Sequence, residues 1–209
     1  MPKTTILSIS DPQCIPLALK MLANHSLIAF PTDTIYGLAA DAFDPLAIKR
    51  IFNVKQRSEN KALPVLIGTL KQLPNLALTI SESVKKLAAA FWPGPLTIVL
   101  PKNPDLPEEL SPYPTIGIRM PNLAFTLKLL AQTGPLATTS ANLSGGSNPV
   151  TPQDVLEQLD GKIDLLLDGG STPGPLASTV IDATTPEITI LRQGSITMND
   201  LETILGPLT

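Results

Sequence analysis

Thr115-Ile116-Gly117-Ile118-Arg119-Met120-Pro121 is a short apolar run that ends in a charge and a proline. β-branched residues favour a pleated strand, and proline cannot continue one. The next stretch, Asn122 to Gln132, reads as a helix with Thr133-Gly134-Pro135 as its stop. Leu136 to Thr138 is again short and apolar. The same alternation extends in both directions. Upstream, Ser81 caps a helix through about Phe91, Trp92-Pro93-Gly94-Pro95 breaks it, and Leu96 to Leu100 is a strand. Asp44-Pro45 opens a helix to about Lys55, and Leu63 to Ile67 follows as a strand. Leu27 to Phe30 is a buried strand that stops at Pro31-Thr32-Asp33-Thr34-Ile35-Tyr36-Gly37. Ile6 to Ile9 suits an edge strand, and Asp11-Pro12 caps a helix over Ile15 to Asn24. Downstream come a helix at Pro152 to Leu159, a strand at Ile163 to Leu167, strands at Ser178 to Ile181 and Ile188 to Leu191, and a helix at Thr197 to Leu205. Strands and helices alternate with no composition break. The expectation is one α/β domain over residues 1–209, with a mixed sheet and flanking helices.

Composition narrows the function. Of 209 residues, 43% are apolar and 16% charged, which excludes a disordered chain. The net charge of −3 gives no global basic field to attract nucleic acid or a membrane surface. One cysteine, Cys14, excludes an internal disulfide, and one histidine, His25, excludes a His–His zinc site. The 22 prolines are scattered, and five of them fall in residues 101–114, which read as a surface loop. No apolar run is long enough to span a bilayer, and no signal peptide is apparent, so a cytoplasmic protein is expected.

Familiar catalytic kits are absent. There is no P-loop and no Gly-x-Gly-x-x-Gly fingerprint, and a serine triad would need His25, which falls near the end of a helix. What remains is cations and hydroxyls at element ends. Lys55, Arg57 and Lys61 lie within seven residues. They read either as solvated loop charges or as a phosphate clamp. Arg119 ends an apolar strand, so it must be paired, for instance with Asp168, or must meet a ligand. Strand ends of this kind are where α/β proteins place ligands. Arg192 repeats the pattern after Ile188-Thr189-Ile190-Leu191. Three hydroxyl-rich turns complete the set: Thr32-Asp33-Thr34, Ser140 to Ser144, and Ser178-Thr179. Together these suggest a pocket for an anionic ligand.

Seven segments occur in one order: Pro31-Thr32-Asp33-Thr34-Ile35-Tyr36-Gly37-Leu38, Lys55-Gln56-Arg57, Phe91 to Thr97, Arg119-Met120-Pro121, Ser140-Ala141-Asn142-Leu143-Ser144-Gly145, Ser178-Thr179-Val180 and Leu191-Arg192-Gln193-Gly194. In this order they resemble the YrdC/TsaC family of threonylcarbamoyl-AMP synthases, over about residues 15–205 and in its short, single-domain form. The resemblance implies a twisted, open mixed sheet around a concave cavity. It implies formation of threonylcarbamoyl-adenylate and pyrophosphate from ATP, L-threonine and bicarbonate, with Mg²⁺ carried by ATP and no metal held by protein side chains. The product would serve tRNA N6-threonylcarbamoyladenosine formation through downstream transfer proteins. Residue by residue, Lys55, Arg57, Arg119 and Arg192 would hold phosphates, with Lys55 and Arg57 at the reacting centre. Lys61, Asn142 and Thr151 would lie along the nucleotide, and Thr34, Ser140 and Ser178 would hold threonine.

The chain also departs from the family pattern. Some relatives have histidine at the positions of Leu66 and Leu123, and glutamate at that of Ala177. The alternatives these departures leave are a YciO-like paralogue that binds tRNA or double-stranded RNA, or a carbamoyl-adenylate enzyme with another acceptor. Trp92 is expected to pack in the core or at a cavity wall.

Overall fold

The computed structural model describes residues 3–174 and 178–206. The elements in chain order are β1 (Thr5–Ser8), α1 (Cys14–Leu22), β2 (Ile28–Phe30), β3 (Gly37–Asp41), α2 (Pro45–Lys55), β4 (Val65–Leu66) and α3 (Glu82–Phe91). They continue as β5 (Leu96–Pro101), β6 (Thr115–Arg119), α4 (Ala124–Thr133), β7 (Leu136–Ser140), α5 (Pro152–Leu159), β8 (Leu165–Asp168), β9 (Thr179–Asp182), β10 (Thr189–Arg192) and α6 (Met198–Leu205). The ten strands form one mixed sheet in the order β1-β8-β2-β3-β7-β4-β6-β5-β9-β10. β6 pairs parallel with β4 and antiparallel with β5, which itself runs parallel to β9.

The strand period of two sorts the side chains onto opposite faces. Leu96, Ile98, Ile116, Ile118, Val65, Ala137 and Ile181 face one way and join the larger core. Helices α2, α3, α5 and α6 close that face with Ile48 and Ile51, Val84 and Leu87, Val155 and Leu159, and Leu201. The other face is closed only over part of its width. There α1 and α4 pack Ile15, Ala18, Leu22, Leu129 and Leu130 on Ile28, Phe30, Ala39 and Leu136. The remaining width of that face is the floor of the cavity described below.

Several helix ends follow directly from the sequence. Asp44 caps α2 by accepting from the N–H groups of Leu46 and Ala47, with Pro45 in the first turn. Ser81 caps α3, and Thr151 and Thr197 form capping boxes at α5 and α6 with Asp154 and Asp200. Three expectations are corrected. Asp11 does not cap α1; Gln13 holds that position, and Asp11 accepts from the Gln13 N–H at 2.7 Å. His25 lies beyond α1, not within a helix, with a left-handed φ of 58°, and its Nδ1 meets the Asp44 carboxylate. β3 is an unforeseen central strand: Gly37-Leu38-Ala39-Ala40-Asp41 has little β propensity but is buried between β2 and β7.

Trp92 is 7% exposed within the larger core, and its indole N–H donates to the Leu96 carbonyl at 2.7 Å. Trp92→Ala is expected to cost about 3–5 kcal/mol, the scale of a large aromatic lost from a core. Trp92→Phe keeps most of the packing but orphans the Leu96 carbonyl, at about 1–3 kcal/mol. Urea unfolding midpoints check both values; a Trp92→Ala protein as stable as the parent contradicts the packing role.

Candidate functional site

The uncovered part of the sheet forms the floor of a cavity of about 490 Å³. The residues of β5 and β6 that point away from the helices line it: Thr97 and Val99, and Gly117 and Arg119. Leu66 of β4, Thr138 to Ser140 of β7, Val180 of β9 and the turn Thr34 to Gly37 complete the wall. A side chain at Gly117 would meet the Thr97 methyl at 3.2 Å, so glycine keeps this floor open.

Three of the predicted cations reach the cavity: Arg57, Arg119 and Arg192. Arg57 comes from the loop after α2, where its Nη2 donates to the Ala62 carbonyl at 3.2 Å. Its Nε is buried with no partner among the described residues. An orphaned guanidinium N–H buried in this way costs free energy. Arg192, at the end of β10, wraps Ser178: Nη2 donates to the Ser178 carbonyl at 2.8 Å and to Oγ at 3.0 Å. Burial lowers the pKa of both arginines, and for Arg192 the nearby Arg119 charge adds to the effect. Arg119 is 7% exposed. Its partner is Asp33 at 2.6 Å; the suggested ion pair with Asp168 does not form. Asp168 lies at the end of β8, where its side chain accepts from the Gly170 N–H.

Lys55 is corrected. It is 1% exposed and does not line the cavity. Its ammonium donates to the Ser140 carbonyl, the Asn142 carbonyl and the Asn142 side-chain oxygen. Those bonds use all of a lysine's donors. Lys55 therefore braces the loop after β7 from behind the wall. Asn142 is also behind the wall; its amide nitrogen donates to the Gly146 and Ser147 carbonyls at 2.9 and 3.1 Å. Lys61 is exposed in its loop and is not a lining residue, and the Thr151 hydroxyl is used in capping α5. Neither is among the residues that line the cavity. Leu66 lines it and Leu123 does not; Ala177 lies outside the described residues.

Thr34, Ser140 and Ser178 all line the cavity, and the hydrogen bonds fix what each offers. Ser140 Oγ sits 2.6 Å from Asn142 Oδ1, which has no proton, so Ser140 must donate there. Thr32 Oγ1 donates to the Ile35 carbonyl at 2.7 Å, so across their 3.0 Å contact Thr34 donates to Thr32. Ser140 and Thr34 therefore present lone pairs to a ligand. Ser178 Oγ accepts from Arg192 and shares one proton with Thr97 Oγ1 at 2.8 Å, which leaves that pair one free O–H. Thr97 was not singled out from the sequence, because a threonine inside a strand gives no signal of its own. Tyr36 was also missed. Its buried hydroxyl donates to the Gly170 carbonyl and accepts from the Gly169 N–H, and burial, with a smaller push from Asp168, drives its pKa up to about 12 despite the Gly169 bond. It pins the turn after β8 to the cavity wall.

A family model described as "Telomere recombination", for Sua5, YciO and YrdC, matches residues 20–194. The chain belongs to the Sua5, YciO and YrdC family. It is 40% identical over 194 residues to the threonylcarbamoyl-AMP synthase of Pyrococcus abyssi, covering 92% of this chain and 57% of the relative. It is 39% identical over 208 residues to the threonylcarbamoyl-AMP synthase of Bacillus subtilis, covering 98% of this chain and 60% of that one. The crystal structure of P. abyssi Sua5 complexed with L-threonine superposes with a TM-score of 0.91 at 38% identity, over 98% of this chain and 61% of that protein. The chain thus spans less than two thirds of the length of these family members, which are longer than the short form that the sequence resembles. The twisted sheet and concave cavity expected of the family are present.

Lys55 gives this part of the family fold a pH signature. Burial, then the Arg57 charge, push its pKa down to about 8 from 10.5. Between those values the unfolded chain binds more protons than the folded one, so this group makes stability rise with pH across that window. Lys55→Met leaves the Asn142 carbonyl without its donor, while the Ser140 carbonyl and Asn142 Oδ1 keep the Asn142 N–H and Ser140 Oγ, and it is expected to cost about 1–3 kcal/mol at pH 7. It also loses the rise above pH 8. Urea unfolding at pH 7, 8.5 and 10 checks both, and an unchanged slope in the variant refutes the assignment.

Proposed function

We propose that this chain makes L-threonylcarbamoyl-adenylate and pyrophosphate from L-threonine, bicarbonate and ATP, acting as one nucleotidyl-transferring domain over residues 1–209. The observation that carries this reading is the meeting of Arg57, Arg119 and Arg192, from three separate elements, around a cavity walled by hydroxyls. The names of the P. abyssi and B. subtilis relatives support it, and they leave the YciO-like RNA-binding alternative less favoured.

In this reading the anionic ends of the substrates lie on the arginines and on the free O–H of the Thr97–Ser178 pair. The amine and hydroxyl of threonine lie on the lone pairs of Thr34 and Ser140. The threonine nitrogen attacks the bicarbonate carbon, water leaves, and a carbamate forms. A carbamate oxygen then attacks the α-phosphorus of ATP, and pyrophosphate departs. No protein nucleophile is required. The arginines stabilise the charge that builds on the phosphates, and the walls hold the reactants in line. Mg²⁺ would supply further charge neutralisation when bound. The cavity's charged lining is arginine, so the metal fits as a passenger on the nucleotide, not as a protein-held ion.

Within this reading, the adenylate passes to proteins that modify tRNA. No described helix is long and apolar enough to cross a membrane. With ATP and tRNA as the reaction's context, we assign it to the cytoplasm.

The test is mass detection of the adenylate with threonine, serine or valine at equal concentration. Serine lacks one methyl and is expected to lose about 10- to 200-fold in kcat/KM; valine, without the hydroxyl, is expected to be nearly inert. Arg57→Ala is expected to cost about 1.5–3 kcal/mol of ATP or transition-state binding. ATP and threonine binding without any adenylate overturns the synthase reading.

A further inference from the structure

Asp33 is the carboxylate in contact with the cation cluster, and it does not itself line the cavity. Its Oδ1 accepts from Arg119 Nη2 at 2.6 Å, with the side chains 13% and 9% exposed. The turn that carries it is locked: Thr32 Oγ1 donates to the Ile35 carbonyl and accepts from the Thr34 N–H. A second fixed point holds the same guanidinium, since Arg119 Nε donates to the Gly94 carbonyl at 3.0 Å. Gly94 is fixed in turn by its N–H to the Met120 carbonyl at 2.8 Å, and a side chain there would strike the Phe91 carbonyl at 2.4 Å. Two rigid bends thus grip Arg119 through Nε and Nη2. Its other contact is a long 3.5 Å approach of Nη1 to Thr34 Oγ1. The Nη1 edge is left to meet a ligand in the cavity.

A buried ion pair of this kind adds little net stability, because desolvation offsets most of the attraction. Its value here is geometric and electrostatic. Arg119 and Arg192 share one wall, and like charges on it repel. A carboxylate behind Arg119 offsets that repulsion without occupying ligand space. We propose that Asp33 is a positioning residue that fixes the pose of Arg119 and makes the two-arginine wall tenable, so that Arg119 meets the anionic group of a substrate without reorganising. The identity of that substrate as ATP or threonine rests on the synthase reading; the role of Asp33 does not.

A double-mutant cycle tests the role. Asp33→Ala, Asp33→Asn, Arg119→Ala and the Asp33→Ala/Arg119→Ala double variant are titrated calorimetrically with ATP and with L-threonine, and assayed for adenylate. Arg119→Ala is expected to weaken at least one ligand, and Asp33→Ala to weaken the same ligand by about 10- to 100-fold, the loss of a charged hydrogen bond. In the Arg119→Ala background, Asp33→Ala is expected to add less than about 2-fold, because the two residues act through one contact. Asp33→Asn keeps an oxygen facing Nη2 but not the charge, and is expected to recover part of the affinity and no more. If Asp33→Ala fails to fold, Asp33→Ser takes its place in the cycle. Multiplying losses, an Asp33→Ala protein with reduced thermal stability but unchanged affinity, or an Arg119→Ala protein that binds both ligands normally each overturn the proposal. Wild-type binding without adenylate formation refutes the synthase reading alone and leaves the cycle on affinity intact.

Discussion

A ten-stranded sheet has two faces to cover, and the described helices cover one of them more completely than the other. Everything at the site depends on that shortfall. Along β5 and β6 the alternation of side chains is strict. Leu96, Ile98, Ile116 and Ile118 meet helices, while Thr97, Val99, Gly117 and Arg119 meet the opening. A one-residue slip in β6 would put Arg119 into the apolar core and Ile118 into the cavity. The burial of the first set, at about 25 cal/mol per Å² of apolar surface, therefore also specifies where the charge goes. Core and site share one register.

Sequence reading worked where a local signal coincided with a tertiary one. Asp44-Pro45 and Ser81 marked helix starts because capping is a one-turn interaction. β6 was legible because its β-branched residues and terminal proline agree with its place in the sheet. β3 was not, because Gly37-Leu38-Ala39-Ala40-Asp41 becomes a strand only through its neighbours on both sides. The site divided in the same way. That a charge at Arg119 needs a partner was evident from its apolar context, but the choice of Asp33 over Asp168 depends on how the turn after β2 folds against the end of β6. Thr97 and Ser178 lie 81 positions apart, and their shared proton exists only because β5 and β9 run side by side.

Lys55 marks the limit of reasoning from residue type. A lysine two positions before an arginine in a charge-poor chain suggests two phosphate ligands. The helix geometry separates them. Lys55 is the last residue of α2 and points into protein, whereas Gln56 takes a left-handed turn with φ of 51° and sends Arg57 the other way. One cation then organises the loop that carries Ser140, and the other faces the cavity. A buried ammonium with three acceptors is costly to unpair, so the loop it braces is held rigidly.

In the reading proposed above, that rigidity bears on how a cavity lined by arginines and hydroxyls does its chemistry. Most of the polar groups that define the cavity wall are held by a fixed partner, some behind the wall and some within it. Lys55 and Asn142 hold Ser140, Thr32 holds Thr34, Asp33 and Gly94 hold Arg119, and Tyr36 holds the turn after β8. Donors and acceptors that are already oriented need not reorganise as charge moves between substrates, and this is the largest lever available to a site built only from hydrogen bonds and arginines. Arg57 is the exception. Its Nε lacks a partner among the described residues, and its single bond is to the Ala62 carbonyl within its own loop. In the synthase reading proposed above, the anionic group of a substrate meets this guanidinium, the least braced of the three that reach the cavity.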